Sequence, residues 1–136
     1  MTSGELEEIS PDECWRLLAG ERVGRLAVVM GHYPLVFPVN YTLDGRHIVF
    51  RTGVGTKLWS IQRSNVSFEV DDFDPDSESG WSVLARGVAH EVKSSNAAPE
   101  PWAPGVREHL VSVVVDSISG RRISKATTTE ERPTTA

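Results

Sequence analysis

Arg51, Thr52, Thr56 and Lys57 set two cations and two hydroxyls around the glycine-rich run Gly53-Val54-Gly55. A turn of this kind, where a strand ends and a helix begins, exposes backbone N–H groups that attract anions. The stretch therefore reads as the phosphate end of a cofactor site beside a sheet. It reads equally as a hairpin followed by a solvated, capped helix, and spacing alone does not separate the two.

The elements that must position these residues are legible on either side. Val36, Pro38 and Asn40 alternate with Phe37, Val39 and Tyr41, the period of two of a half-buried strand. Leu43-Asp44-Gly45-Arg46 supplies a hairpin turn, because Asp-Gly tolerates positive φ. His47 to Thr52 returns as the next strand, with Ile48 and Phe50 on one face and Arg51 on the other. A short helix is expected from Lys57 to Gln62.

Upstream, Met1 to Glu8 is polar and expected to be loose. Ser10-Pro11-Asp12-Glu13 is a helix start, with Ser10 as N-cap, Pro11 in the first turn and Glu13 closing a capping box. Cys14, Leu17 and Leu18 form the apolar face, and Gly20 fits the C-cap. Val23 to Met30 reads as the first strand, and Gly31-His32-Tyr33-Pro34 as the turn after it. Downstream, Asn65 to Asp71 is a strand with Val66, Phe68 and Val70 on one face, followed by an acidic loop from Asp72 to Gly80. That loop lacks the spacing of a calcium-binding hand. Trp81 to Lys93 is a long strand that Gly87 interrupts, as at a bulge or barrel bend. Ser94 to Gly105 reads as a connection, and His109 to Val115 as a strand buried on both faces. Asp116 to Gly120 reads as a turn, and residues 126–136 as a disordered tail of Thr, Glu and Pro. The count is six strands with two short helices, and consecutive antiparallel strands favour a small closed barrel.

Composition narrows the function classes. With 136 residues, 39% hydrophobic and 24% charged, the chain suits one globular domain. A net charge of −5 without any Lys/Arg block argues against a nucleic-acid partner. No apolar run approaches membrane-spanning length and no signal peptide opens the chain, so the expectation is no membrane and a cytoplasmic location. The single cysteine, Cys14, excludes an internal disulfide and a cysteine-cluster zinc site. Trp15, Trp59, Trp81 and Trp102 suit core packing or an aromatic-lined pocket.

Five pieces in order carry a resemblance: GRLAVV at Gly24 to Val29, PLVFPVNY at Pro34 to Tyr41, IVFRTGVGTKL at Ile48 to Leu58, WSVLARGVAHEV at Trp81 to Val92 and SISGRRI at Ser117 to Ile123. Together they resemble the pyridoxamine 5′-phosphate oxidase-like family of split β-barrel flavoproteins, and in particular its short, nitroimidazole-reductase-like branch. The resemblance implies a mainly β fold with short α-helices, a six-stranded antiparallel split β-barrel of FMN-binding type. It implies a flexible segment at residues 1–9, the barrel at 10–125 and the tail at 126–136. It implies a homodimer with flavin sites at the subunit interface. The FMN ring would lie along Pro38, Val39 and Asn40, and the phosphate near Arg51, Thr52, Thr56 and Lys57. Trp81, Ser82 and Val83 would approach from the strand after the acidic loop, with the partner subunit as the expected source. The implied activity is flavin-dependent oxidoreduction of a small-molecule substrate, with a nicotinamide as a candidate electron donor. Hydride chemistry belongs to the flavin, so no acid–base dyad is required of the protein.

The chain departs from the authentic oxidase in its C-terminal segment, where substrate-binding Arg and His residues give way to Arg121-Arg122 and the polar tail. Pyridoxamine phosphate oxidation is therefore not the expected reaction. Some relatives bind a deazaflavin coenzyme or haem instead of FMN. A polyacidic deazaflavin tail would call for a basic groove, for which Arg107, Arg121 and Arg122 are the local candidates. Haem would need an axial ligand from among His32, His47, His90 and His109. A non-catalytic flavin or haem carrier is the alternative from a different class.

Overall fold

The computed structural model describes residues 5–52, 63–93, 99 and 109–125. Thr56, Lys57, the glycine-rich run, the expected second helix, most of the expected connection and the tail lie outside them. The described elements run β1 (Glu5–Ile9), α1 (Pro11–Ala19), β2 (Val23–Met30), β3 (Tyr33–Asp44), β4 (His47–Thr52), β5 (Asn65–Asp74), β6 (Ser79–Val92) and β7 (His109–Ser124). All strands pair antiparallel in the order β1-β7-β4-β3-β2-β5-β6, and β6 pairs back onto β7. β2 to β7 therefore close a ring, the expected split barrel.

Seven strands replace the expected six. Glu5–Ile9, expected to be loose, is β1, laid against the far half of β7 with Glu5 opposite Ser124 and Ile9 opposite Gly120. β7 itself does not turn at Asp116 to Gly120 but runs through to Ser124. Polar residues such as Ser117 and Ser119 are tolerated there because they point out of the sheet while β6 supplies the backbone partners. The acidic stretch likewise is mostly strand: β5 reaches Asp74 and β6 starts at Ser79. The turn between them is held by the Asp76 N–H donating to the Asp74 carboxylate at 2.9 Å.

Other expectations hold. Ser10 caps α1, accepting from the Glu13 N–H at 3.3 Å, with Pro11 in the first turn and Gly20 at the C-cap. The Glu13 carboxylate reaches Arg16 at 2.6 Å. β7 is buried on both faces only from Leu110 to Val113, short of the expected His109 to Val115, since Val114 is exposed. The register between β6 and β7 shifts between Arg86 and Gly87, where the barrel bends. A Cβ on Gly87 would lie 2.1 Å from the Val114 carbonyl oxygen, so this close crossing needs glycine.

The core joins Leu26, Val28, Ile48, Phe50, Val66, Phe68, Val70, Val83 and Val113 from the ring to Cys14 and Leu18 of α1. At its centre the Tyr41 ring meets Phe68 edge-on, with centroids 4.9 Å apart and planes at 77°. The Tyr41 hydroxyl donates to the Leu18 carbonyl at 2.6 Å, which ties the helix to β3. Burial raises the Tyr41 pKa well above its ordinary value, with the charge of Glu21 adding to it, so the ring stays a donor. Phe68 fits because β2 carries no side chain at Gly24, where a Cβ would stand 2.4 Å from Phe68 Cζ and 3.0 Å from Val70 Cγ2.

Gly24→Ala should therefore destabilise the fold by about 1–3 kcal/mol, the usual cost of overpacking a filled core. Chemical denaturation of the two proteins reads it, and an unchanged midpoint would show that Phe68 can move aside.

Candidate functional site

Strand alternation divides the expected site residues between two faces. Inward, Val39 and Trp81 pack against the core and Val83 belongs to it. Outward, Pro38 is exposed, and Asn40 and Ser82 are half-buried. The register then decides how far apart these outward residues lie. Pro38 stands opposite Arg25 on β2, Arg25 opposite Glu69 on β5, and Ser82 on β6 between Asp71 of β5 and Arg121 of β7. One outer surface thus runs from Pro38 and Asn40 across β2 and β5 to Ser82.

Arg25 occupies the middle of that surface. Its Nη1 donates to Glu69 Oε1 at 2.9 Å and to Asp71 Oδ2 at 3.1 Å. Burial, with the neighbouring Asp71 carboxyl adding to it and Arg25 pulling against both, raises the Glu69 pKa to about 7. Sequence reading passed over this trio. The alternation of β5 already put Glu69 and Asp71 opposite Val66, Phe68 and Val70, but nothing local shows that Arg25, far away in the chain, comes to lie beside them.

Further along the same outer surface, Ala27, Ser67, Arg86 and Ser117 are register partners across four strands. With Val29 and Pro34 they line a cavity of about 460 Å³. That volume is in the range of small-molecule sites.

Arg51 and Thr52 end β4 on opposite faces. Thr52 follows Phe50 inward and is 2% exposed, and its Oγ1 has no hydrogen-bond partner. Arg51 lies on the outer side, where its Nε donates to the Pro99 carbonyl at 3.1 Å. A ligand group sitting off the end of the strand, rather than on either face, is one that both residues reach. An unpaired buried hydroxyl is costly, so the Thr52 position suits a ligand acceptor such as a phosphate oxygen. Thr56 and Lys57 fall outside the described residues and add nothing to the geometry here.

The histidines do not converge. His32 and His47 are exposed, His90 is half-buried on β6, and His109 Nδ1 contacts the Glu91 carboxylate. Among the described residues no group of three or more His, Cys, Asp or Glu side chains is placed to hold a metal. No helix among them is long and apolar enough to cross a membrane. Arg122 lies 3.8 Å from Glu13, while Arg121 stands beside Ser82 on the outer surface.

Residues 10–122 match the family described as pyridoxamine 5′-phosphate oxidase. An uncharacterised protein of Mycobacterium tuberculosis is 32% identical over 132 residues, covering 88% of this chain and 86% of that protein. Among solved structures, the FAD binding protein from Mycobacterium smegmatis superposes with a TM-score of 0.73 at 37% identity, covering 87% of this chain and 98% of its own. A conserved protein of unknown function from Corynebacterium diphtheriae superposes with a TM-score of 0.71 at 34% identity, covering 85% and 96%.

The raised Glu69 pKa gives a measurable sign. Between its ordinary 4.5 and about 7, the folded chain holds a proton that the unfolded chain releases. Stability from this group is therefore complete below pH 4.5 and declines as pH rises to 7. Glu69→Gln should flatten that decline in urea midpoints measured at pH 5, 6 and 7. A variant with the wild-type slope would place the proton elsewhere.

Proposed function

The chain belongs to the pyridoxamine 5′-phosphate oxidase family, and from that premise we propose that it is an FMN-binding oxidoreductase acting on a small molecule. The observation that carries the reading is the Thr52 hydroxyl, buried and unpartnered at the strand end where the sequence motif calls for a phosphate. The name of the 37% identical Mycobacterium smegmatis protein supports a flavin in general and makes FAD the competing ligand.

Bound flavin would supply the hydride chemistry. The residues that would hold it are those of the two ends described above. Arg51, Thr52, Thr56 and Lys57 offer charge-assisted and hydroxyl hydrogen bonds to the phosphate. Pro38, Val39 and Asn40 provide the strand along which the ring lies, Asn40 offering its amide to a ring carbonyl or N–H. Ser82, with Trp81 and Val83 fixing its strand in the core, would present a hydroxyl from the same outer surface. The Arg25–Glu69–Asp71 trio fixes charge between these two groups. The cavity beside Ala27 and Pro34 has room for a substrate, with apolar Val29 on one side and Arg86 on the other.

A homodimer belongs to the same proposal. Val29, Tyr33 and Val36 are 72%, 72% and 61% exposed on the β2–β3 hairpin, an apolar edge of the kind that pairing between copies covers. A cytoplasmic location is consistent with the buried free thiol of Cys14. A non-catalytic flavin carrier is the second reading, and a similar protein is named for FAD binding. Turnover with a nicotinamide donor separates enzyme from carrier.

The phosphate assignment predicts a ligand-specific loss. Arg51→Ala and Lys57→Ala should each weaken FMN about 10- to 150-fold, the equivalent of one charge-assisted hydrogen bond of about 1.5–3 kcal/mol. Riboflavin, which lacks the phosphate, should bind wild type weakly and respond little to either change. Titration of FMN, FAD and riboflavin decides the matter, and equal losses for all three would remove these residues from the phosphate site.

A further inference from the structure

The outer-surface cavity of about 460 Å³ owes its shape to one row of the sheet and its charges to one irregularity in β7. In the row, Ala27, Ser67 and Ser117 carry small side chains, with Arg86 between the two serines. Short side chains in line leave a hollow, and Val29 and Pro34 give it an apolar wall. The irregularity is a β-bulge. Arg86 pairs with Ser117, but Gly87 pairs with Val115, so Asp116 has no register partner on β6. Val113 and Val115 pack inward before it, and Ile118 packs inward after it. Asp116 and Ser117 are therefore both exposed on the outer face, where strict alternation would have turned one of them into the core. The extra residue brings a carboxylate to the cavity that Arg86 already lines. The two charges do not neutralise each other. Among the described residues no ion pair engages either Arg86 or Asp116.

We propose that this cavity binds a small zwitterion with an apolar body, of the amino-acid type, its carboxylate on Arg86, its ammonium on Asp116 and its body against Val29 and Pro34. The proposal rests on the reading that leaves this cavity to a substrate, and it names the class of that substrate. Arg86 offers a planar fork of donors that matches a carboxylate. Asp116 accepts from an ammonium and repels a ligand that carries a carboxylate alone. A ligand with both charges completes the ion pair that the protein leaves open, and the Ser67 and Ser117 hydroxyls stand beside it. A ligand with one charge leaves the other protein charge unmatched. Val29 also belongs to the hairpin edge assigned to pairing between copies, so binding is measured on the full chain as it assembles.

Three probes share a phenethyl body and differ in charge. Phenylalanine carries both groups, 3-phenylpropionate the carboxylate and phenethylamine the ammonium. Each is titrated at neutral pH into wild type, Arg86→Gln and Asp116→Asn, with binding read from amide chemical shifts. Wild type should prefer phenylalanine to either singly charged probe by about two- to fivefold, the value of one partly exposed ion pair. Arg86→Gln should lose that factor for phenylalanine and phenylpropionate and nothing for phenethylamine. Asp116→Asn should lose it for phenylalanine and phenethylamine and should bind phenylpropionate more tightly, a reversal that a loss of folding cannot imitate. FMN, titrated into the same three proteins, should show one affinity, because neither residue is among the proposed flavin contacts. Probes bound alike, or losses that ignore the charge of the probe, would overturn the zwitterion site while normal FMN binding left the flavin reading standing. A wild type that ranks the probes as expected but binds no FMN would overturn the flavin reading and support the zwitterion site.

Discussion

The contact on which the rest depends is the packing of Phe68 under Gly24 and edge-on against Tyr41. It joins β5 to β2 and β3, and the Tyr41 hydroxyl carries the connection to α1 through the Leu18 carbonyl. β2 and β5 are far apart in the chain and pair over only three residues, Arg25 to Ala27 against Ser67 to Glu69. So short a ladder would be weak by itself. The ring beneath it, filling the space that a side chain at residue 24 would occupy, sets its register.

That register in turn makes the outer surface. Because side chains alternate, burying Leu26 and Phe68 forces Arg25 and Glu69 outward as neighbours. A slip of one residue would put Arg25 inside and scatter the trio. Arg25 then meets two carboxylates through one nitrogen. The arrangement keeps the fixed charge at the middle of a surface that has Pro38 and Asn40 on one side and Ser82 on the other. The inner face is apolar, and the charged and polar side chains stand on the outside and at the rim.

The rim follows a different logic. There Thr52 and His109 are the last and first residues of paired strands, so inward-pointing polar groups reach the edge of the core instead of its centre. One short strand, β4, thus holds Ile48 and Phe50 in the core and ends on Arg51 and Thr52.

Local sequence alone determined much of this protein. Period-two alternation marked β3, β4 and the inner half of β5, Ser10-Pro11 marked the start of α1, and Gly87 marked the bend. These signals are local because they arise from backbone geometry and from which residues water excludes. The ordered succession of motifs also identified the family. Tertiary structure alone decided the seventh strand, since Glu5–Ile9 has no pattern of its own and becomes a strand only because β7 offers it a free edge. It decided that Asp116 to Gly120 continues as strand, because β6 supplies hydrogen bonds that outweigh the turn-forming character of those residues. It also decided which side chains share the candidate site. Arg25 with Glu69, and Thr52 with His109, meet through pairings between strands that are not consecutive. Alternation tells each strand which way its residues face, whereas only closure of the ring tells them whom they face.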